Sequence, residues 1–258
     1  MSERRKEEEK KLHDLLRGKN KKNDYYATNL KFYSVTRSSR NFIKNWLLSR
    51  VKEKKVLDYC CGNGGMAIWL AENGANVFGI DISQVSIKNA IDEAVKRGIE
   101  DKVKFFVMDA EAMEFENNFF DIICCIGVLH HLDINKAYSE LSRVLKPDGT
   151  IICVEPLKYN PVFQIYRKMT PHLRTKWEIE HILRKKDIDL AKKWFGRVEI
   201  LGFFHLFTLT AVPLRSNLLV FNKVLSLLEQ VDSVILKLPF IKYFAWQVVF
   251  SLSQPKKM

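Results

Sequence analysis

The sequence predicts an α/β fold: a mostly parallel sheet covered by helices on both faces, with helical insertions after the fifth strand and between the last two. Two observations carry this. From Lys55 onward, short β-rich runs alternate with amphipathic helical stretches, the rhythm of strand-helix-strand units. The strands are apolar along nearly their whole length while the helices are apolar on one side, which is the pattern of a sheet buried on both faces.

Each element has its own signal. The strands read KVLDYC, NVFGID, VKFFVMD, FFDIICCI and TIICVE. After Ser83, a good cap, Ile87, Ala90, Ile91, Ala94 and Val95 share one helix face, and Gly98 ends that helix. After Asp133 the same spacing recurs at Ile134, Ala137, Tyr138, Leu141, Val144 and Leu145, stopped by Pro147. Beyond Glu155 the alternation breaks, resuming with a short helix DIDLAKKWFG, a strand RVEILGFF and a last strand WQVVFSLS. Between those two strands lies an apolar insertion, 206–244. In its central part, 217–237, Asn222, Ser226, Glu229, Gln230, Ser233 and Lys237 form a polar stripe at helical spacing, so it reads as an amphipathic helix with a wide apolar face. The organisation is therefore a charged tail (1–23) and a single domain (24–258), with a core at 55–156, a basic insertion at 157–186 and the apolar insertion at 206–244.

Composition bounds what the chain does. At 258 residues, 47% hydrophobic and 28% charged, it buries enough apolar surface to exclude disorder as its main state. The uncharged stretch 200–214 contains His205 and Pro213 and is short of the roughly 20 apolar residues a membrane span needs. The opening MSERRKEEEKK lacks the apolar run of a secretory signal, and residues 1–23 read as a solvated, partly helical tail. Five cysteines, as Cys60-Cys61, Cys124-Cys125 and Cys153, have no disulfide-framework or zinc spacing, which points to a reduced, cytoplasmic protein. The net charge of +12 is not spread evenly. Residues 1–23 hold 9 basic and 5 acidic side chains, 24–150 hold 16 and 17, and 151–258 hold 17 and 8, giving +4, −1 and +9.

The chemistry begins at the first strand-helix turn, DYCCGNGGMA. Gly62 and Gly64 permit a tight turn and close approach of a ligand to backbone, ahead of a helix N-terminus with free amides. That turn alone fits a dinucleotide fold equally well. Three acids at successive strand tips separate the readings. Asp58 precedes the glycines, where it favours a cationic group and repels a pyrophosphate. Asp81 ends the second strand opposite a ribose diol. Asp109 ends the third, where it is placed to read an exocyclic amine. Together they suit a nucleoside carrying positive charge and no phosphate.

With these residues in order, the chain resembles the class I S-adenosylmethionine-dependent methyltransferases. VLDYCCGNGG is similar to their first motif, and GIDIS, MDAEAM, FDIICCIGVLHHL and LSRVLKPDGTIICVEP resemble the later ones, over 56–156. The GVLHHL and LKPDG variants look like the ubiquinone and menaquinone C-methyltransferase branch. The resemblance implies a Rossmann-like, seven-stranded sheet and S-adenosyl-L-methionine as cofactor. It implies that Asp58, Cys61, Gly62 and Gly64 line the methionine moiety, that Asp81 binds the ribose hydroxyls, and that Ile82 packs on adenine. It further implies that Asp109 and Ala110 hold the adenine edge and that Ile126 lines the same site. One departure is Cys60, which stands where the family has its first glycine.

Methyl transfer from a sulfonium is an in-line displacement that asks mainly for alignment and exclusion of water. Where the acceptor must lose a proton, His130 or His131 at the fourth strand tip and Glu155 at the fifth are candidate bases. Each also fits a structural role, hydrogen-bonded to loop backbone. No metal site is expected: His130 and His131 are adjacent and so point differently, and His172 and His181 are separated from acidic partners by Arg and Lys. Tyr33, Arg37 and, in the basic insertion, Arg174 are candidate acceptor contacts, and Tyr25 and Tyr26 precede them.

From 157 to 197 there are 11 basic residues and four acidic ones. Beside an apolar helix, this points to a small-molecule or lipophilic, anionic acceptor, and it is compatible with peripheral contact to the inner face of a membrane. A solvated basic face and an apolar helix packed on its own core explain the same residues. Nucleic acid is disfavoured, because no base-gripping Asn/Asp-Pro-Pro-aromatic tetrad follows the fourth strand and no aromatic-basic interleaving is seen. The alternative functions are a catalytically silent cofactor-binding protein and, further off, an RNA methyltransferase or a nicotinamide-dependent enzyme.

Overall fold

The computed structural model describes residues 2–17, 32–170 and 175–256. Seven strands form one sheet: β1 (Lys55–Tyr59), β2 (Asn76–Asp81), β3 (Val103–Val107), β4 (Phe120–Ile126), β5 (Leu145–Pro156), β6 (Phe195–Phe204) and β7 (Gln247–Pro255). Their order is β3-β2-β1-β4-β5-β7-β6. The pairs β1–β2, β2–β3, β1–β4 and β4–β5 are parallel, and β7 runs antiparallel to both neighbours. The chain reverses strand order between β1 and β4, so the carboxyl ends of β1, β2, β3 and β4 open onto one crevice, the place where ligands bind such sheets.

The helices are α1 (Ser2–Arg17), α2 (Arg37–Leu48), α3 (Gly65–Glu72), α4 (Gln84–Arg97), α5 (Ile134–Val144), α6 (Pro161–Met169), α7 (Lys176–His181), α8 (Lys185–Asp189) and α9 (Leu218–Ile235). Capping explains several boundaries. The Ser83 hydroxyl accepts from the Ser86 amide, and Gly98 closes α4 at φ +63°. Asp133 accepts from Asn135 and Lys136 at the start of α5. Asn160 caps α6 with Pro161 in its first turn. The predicted DIDLAKKWFG helix is shorter than expected, α8 passing into a 3-10 turn over Leu190–Lys193. The fifth strand begins earlier than TIICVE and takes in LKPDG.

Alternating strand residues feed two cores. Leu57, Tyr59, Ile123 and Cys125 pack with Tyr138 and Leu141 of α5 on one face. Val56, Val77, Ile122 and Ile152 pack with Leu70 of α3 and Ile43 and Leu47 of α2 on the other. A third cluster, Val35, Phe163, Leu209, Phe221, Leu225 and Trp246, joins α6 and the apolar insertion. One face of α9 is therefore core.

The N-terminal segment departs from the solvated tail that its composition predicted. Ser2–Arg17 is a helix lying over the strand tips, with Arg5, Glu9 and Leu16 buried. Its face at positions 5, 9, 13 and 16 repeats at helical spacing, and the charged members of that face meet opposite charges across the crevice.

Candidate functional site

The turn after β1 is held by the second strand. Asp81, buried, accepts from the Gly62 amide at 2.9 Å and from the Ser83 amide at 2.9 Å. Gly62 and Gly64 have φ of +54° and +77°. A Cβ on Gly64 would lie 2.8 Å from the Ala90 Cβ and 2.9 Å from the Phe105 ring, so only glycine fits there. Cys60, in the position of the family's first glycine, adopts φ +59° and lines the cavity at the tips.

None of the four residues expected at the methionine moiety lines that cavity: Gly62 is buried beneath Arg17, Gly64 is buried against Ala90 and Phe105, and Asp58 and Cys61 are turned elsewhere. Asp58 is buried and caps α3, its Oδ2 accepting from the Ala67 amide at 2.9 Å. Burial, with the nearby Asp81 charge, pushes its carboxyl up to about 7 against the pull of that amide. Cys61 turns toward the sheet, its amide bonded to the Ile80 carbonyl and its Sγ beside Gly79. A strand-end acid followed by a helix start is a capping geometry, which explains the placing of Asp58.

The third tip carries Asp109, whose Oδ1 accepts from the Glu111 amide at 2.9 Å. Its neighbour Ala110 is buried, with its carbonyl bonded to the Tyr59 hydroxyl at 2.8 Å. Asp81, Ile82, Met108, Asp109, Ala110 and Ile126 line one cavity of about 260 Å³. A second cavity, about 170 Å³, is lined by Phe32, Phe163, Trp246, His130, Val154 and Arg167, among others. The two share Tyr33, Ile126, Gly127 and His131. They are adjoining chambers.

The histidines divide between two partners. His130, buried, meets Glu155 through Nδ1 to Oε2 at 2.7 Å. Glu155 is wholly buried, and its other oxygen accepts from the Val128 and Leu129 amides, each at 2.8 Å. Glu155 is thus a fully engaged, wholly buried carboxylate, which does not fit the role of base expected of it. Its contact with His130 holds Nδ1 against the carboxylate and turns Nε2 away from it. His131 Nδ1 lies 3.1 Å from Glu9 of α1. Burial pulls the His131 imidazole down, but Glu9, with Glu178 and Glu155 nearby, outweighs it and carries the group up to about 9.

The helix α1 roofs the first chamber and brings side chains that the sequence did not mark. Lys6 Nζ meets Asp109 at 2.6 Å, Arg5 pairs with buried Glu111 and donates to the His131 carbonyl, and Arg17 lies 3.4 Å from Asp81 and 2.6 Å from the Ser86 hydroxyl. Arg17 also packs over Gly62. Asp14 accepts from the Ser83 hydroxyl at 2.5 Å. Glu9, His13 and His131 bring one ligand atom each within 4.8 Å of one another, a grouping that the expectation of no metal cluster lacked because it placed α1 in solvent. Arg5 and Lys6 on the same helix add positive charge that opposes a cation there.

Tyr33 stands between the chambers, half exposed, with its ring 5.9 Å from Trp246. Arg37, the other expected contact from that region, faces away. It pairs with Glu229 of α9 at 2.5 Å and bonds the Ser226 hydroxyl, so it is not a ligand contact. Arg174, Tyr25, Tyr26 and His172 lie outside the described residues. Phe163, Trp246 and Arg167 were not marked in the sequence; the one available signal was the aromatic content of PVFQIY and FAWQ.

Residues 57–153 match the methyltransferase domain family, and the seven-stranded sheet that carries them has the fold of the class I S-adenosylmethionine-dependent methyltransferases. Over 139 residues it is 33% identical to a sterol 24-C-methyltransferase of Gibberella zeae, covering 53% of this chain and 33% of that protein. Over 166 residues it is 29% identical to the ubiquinone/menaquinone biosynthesis C-methyltransferase of Rickettsia prowazekii, covering 50% and 67%. An uncharacterised methyltransferase of Bacillus subtilis, YcgJ, is 31% identical over 131 residues, covering 50% and 51%. The alignments thus span a third to two thirds of these relatives. Among solved structures, the PH0226 protein of Pyrococcus horikoshii superposes with a TM-score of 0.56 at 23% identity, covering 91% of this chain and 99% of that one. The geranyl diphosphate C-methyltransferase of Streptomyces coelicolor gives 0.58 at 15%, covering 85% and 76%. These two likenesses concern the fold.

Proposed function

We propose that the chain is an S-adenosylmethionine-dependent methyltransferase acting on a small lipophilic acceptor. The pair of adjoining chambers carries this reading: one has the strand-tip acids Asp81 and Asp109 beside Ile82 and Met108, suited to a nucleoside, and the other is walled by Phe32, Phe163 and Trp246. The cofactor fits the residues present. Asp81 offers a rigid carboxylate to the ribose hydroxyls, Asp109 an acceptor to the adenine amine, Ile82 and Met108 apolar contact to the ring, and Cys60 the cavity-lining end of the β1 turn to the methionine part. The relatives named as C-methyltransferases support carbon as the atom methylated. Five free cysteines support a reducing, cytoplasmic setting.

When bound, the cofactor supplies a methyl group activated by a sulfonium. The chain then holds the acceptor in the aromatic chamber, in line across the shared wall of Tyr33, Gly127 and His131. His130 Nε2 takes the acceptor's proton where one must leave, and Glu155 positions it and stabilises the imidazolium. His131 cannot serve as that base while Glu9 keeps it protonated. Arg17 on Asp81 and Lys6 on Asp109 occupy the carboxylates that the nucleoside needs, so the cofactor displaces these two side chains as it enters.

The test is transfer of labelled methyl from S-adenosylmethionine into a cell extract, with products separated into lipid, small-molecule, protein and nucleic-acid pools. Label in the lipid or small-molecule pool is expected. Label confined to nucleic acid or protein would overturn the acceptor class, and no label alongside normal cofactor binding would favour a catalytically silent protein.

A further inference from the structure

The wide apolar face of α9 is only partly used by the core. Phe221 and Leu225 are buried in the third cluster, and Val224 and Leu228 pack against it. A second apolar stripe, Val220, Leu227, Val231 and Val234, returns to one angle at 100° per residue and points to solvent, with Leu227 61% and Val234 63% exposed. It continues past the helix end into Leu238 and Phe240. Phe240 is 81% exposed and held at φ +70°, a strained conformation for a bulky residue and one that the fold keeps with the ring outside. On the neighbouring α6, Phe163 points into the shared cluster while Ile165 and Met169 stand in solvent.

The charges on this insertion sort by sign. By sequence, Lys223 and Lys237 balance Glu229 and Asp232. In the fold, Glu229 is tied to Arg37, and Asp232 is buried, accepting from the amides of Leu206, Phe207 and Thr208. Both acids are turned inward. The charges left on the outer surface of 206–246 are Arg215, Lys223 and Lys237, all exposed, with Lys242 half-buried beside Phe203 and Tyr243. An exposed apolar stripe flanked by cations alone is complementary to an anionic lipid surface. No helix among the described residues is long and apolar enough to cross a membrane.

We infer that the outer face of α9, with the 238–240 turn, docks the protein peripherally on an anionic bilayer. Docking there sets the aromatic chamber, whose wall includes Phe163 of α6 and Trp246, beside the surface from which a lipophilic molecule arrives.

Flotation of the full chain with phosphatidylcholine vesicles, with and without phosphatidylglycerol, tests this. Binding is expected with the anionic mixture only, weakening as salt rises. Lys223→Gln with Lys237→Gln should weaken it about 25-fold, at about fivefold per lysine. Leu227→Ser with Val234→Ser, and separately Phe240→Ala, should each weaken it at least tenfold with the melting temperature and calorimetric affinity for S-adenosylmethionine unchanged. That cofactor affinity separates failure of the docking surface from failure of the proposed activity. Absence of flotation, equal flotation with neutral vesicles, or a concentration-dependent dimer that Leu227→Ser abolishes would overturn the inference, the last by assigning the face to a second copy of the chain.

Discussion

Replacing Arg17 with Ala should tighten the binding of S-adenosylmethionine. Arg17 sits over the Gly62 turn with one nitrogen 3.4 Å from Asp81, and both side chains are largely buried, at 18% and 6% exposed. At an effective dielectric of about 20, opposite unit charges at this distance attract by about 5 kcal/mol. Desolvation and side-chain ordering cancel most of that, leaving a net of about 1–2 kcal/mol. The incoming ribose must displace this pair, so its removal should lower the Kd about 5- to 30-fold. Calorimetry on the full chain measures it, with Arg4→Ala as control, because Arg4 is exposed and pairs with Glu8 of its own helix, its one ion pair among the described residues. Unchanged or weaker binding in Arg17→Ala would refute the view that α1 competes with the cofactor for Asp81.

Three further outcomes are expected. His131 is raised from 6.5 to about 9, so its pairing with Glu9 supports α1 docking fully below about pH 6.5 and is lost as pH rises through about 9; hydrogen-exchange protection of α1 should fall by about 1–2 kcal/mol across that window after allowance for solvent screening, and His131→Gln should remove the pH dependence. Glu155→Gln leaves one oxygen to serve two amides and His130, so methyl transfer should drop on the order of 10–100-fold with cofactor affinity preserved; an unchanged rate would remove Glu155 and His130 from the reaction. Gly64→Ala must carry a Cβ at φ +77° into Ala90 and Phe105, costing about 2–4 kcal/mol in urea unfolding, whereas Gly65→Ala, with open space at its Cβ, should cost less than 1 kcal/mol; equal costs would contradict the packing described.

The sheet was legible because its signals are local. Apolar runs, caps at Ser83 and Asp133, and glycines at Gly62 and Gly98 act within a few residues of where they stand. Asp81 and Asp109 were legible for the same reason, since a strand-end acid facing the crevice is a property of its own strand. The misplaced residues depend on partners far along the chain or on which of two neighbours turns inward. Helix α1 looks like a solvated charge run until Glu111 and Asp109 after β3 and Asp81 at the end of β2 provide its counter-charges from two other segments. Arg37 finds Glu229 some 192 positions away. Asp58 and Cys61 were assigned by motif, yet Asp58 satisfies the α3 amide in its own turn and Cys61 is turned onto Gly79, leaving Cys60 at the cavity. The apolar width of α9 was visible, but only packing shows that the core covers part of it and that its two acids face inward.

Calorimetric titration of Asp81→Asn with S-adenosylmethionine tests the site most directly. The change preserves shape and removes the charge that anchors the Gly62 and Ser83 amides and receives the ribose. Binding should weaken by on the order of 100-fold, with Asp58→Asn, whose carboxyl lies outside the chamber, much less affected. Near-normal affinity in Asp81→Asn would contradict the assignment of the cofactor to the tips of β1, β2 and β3.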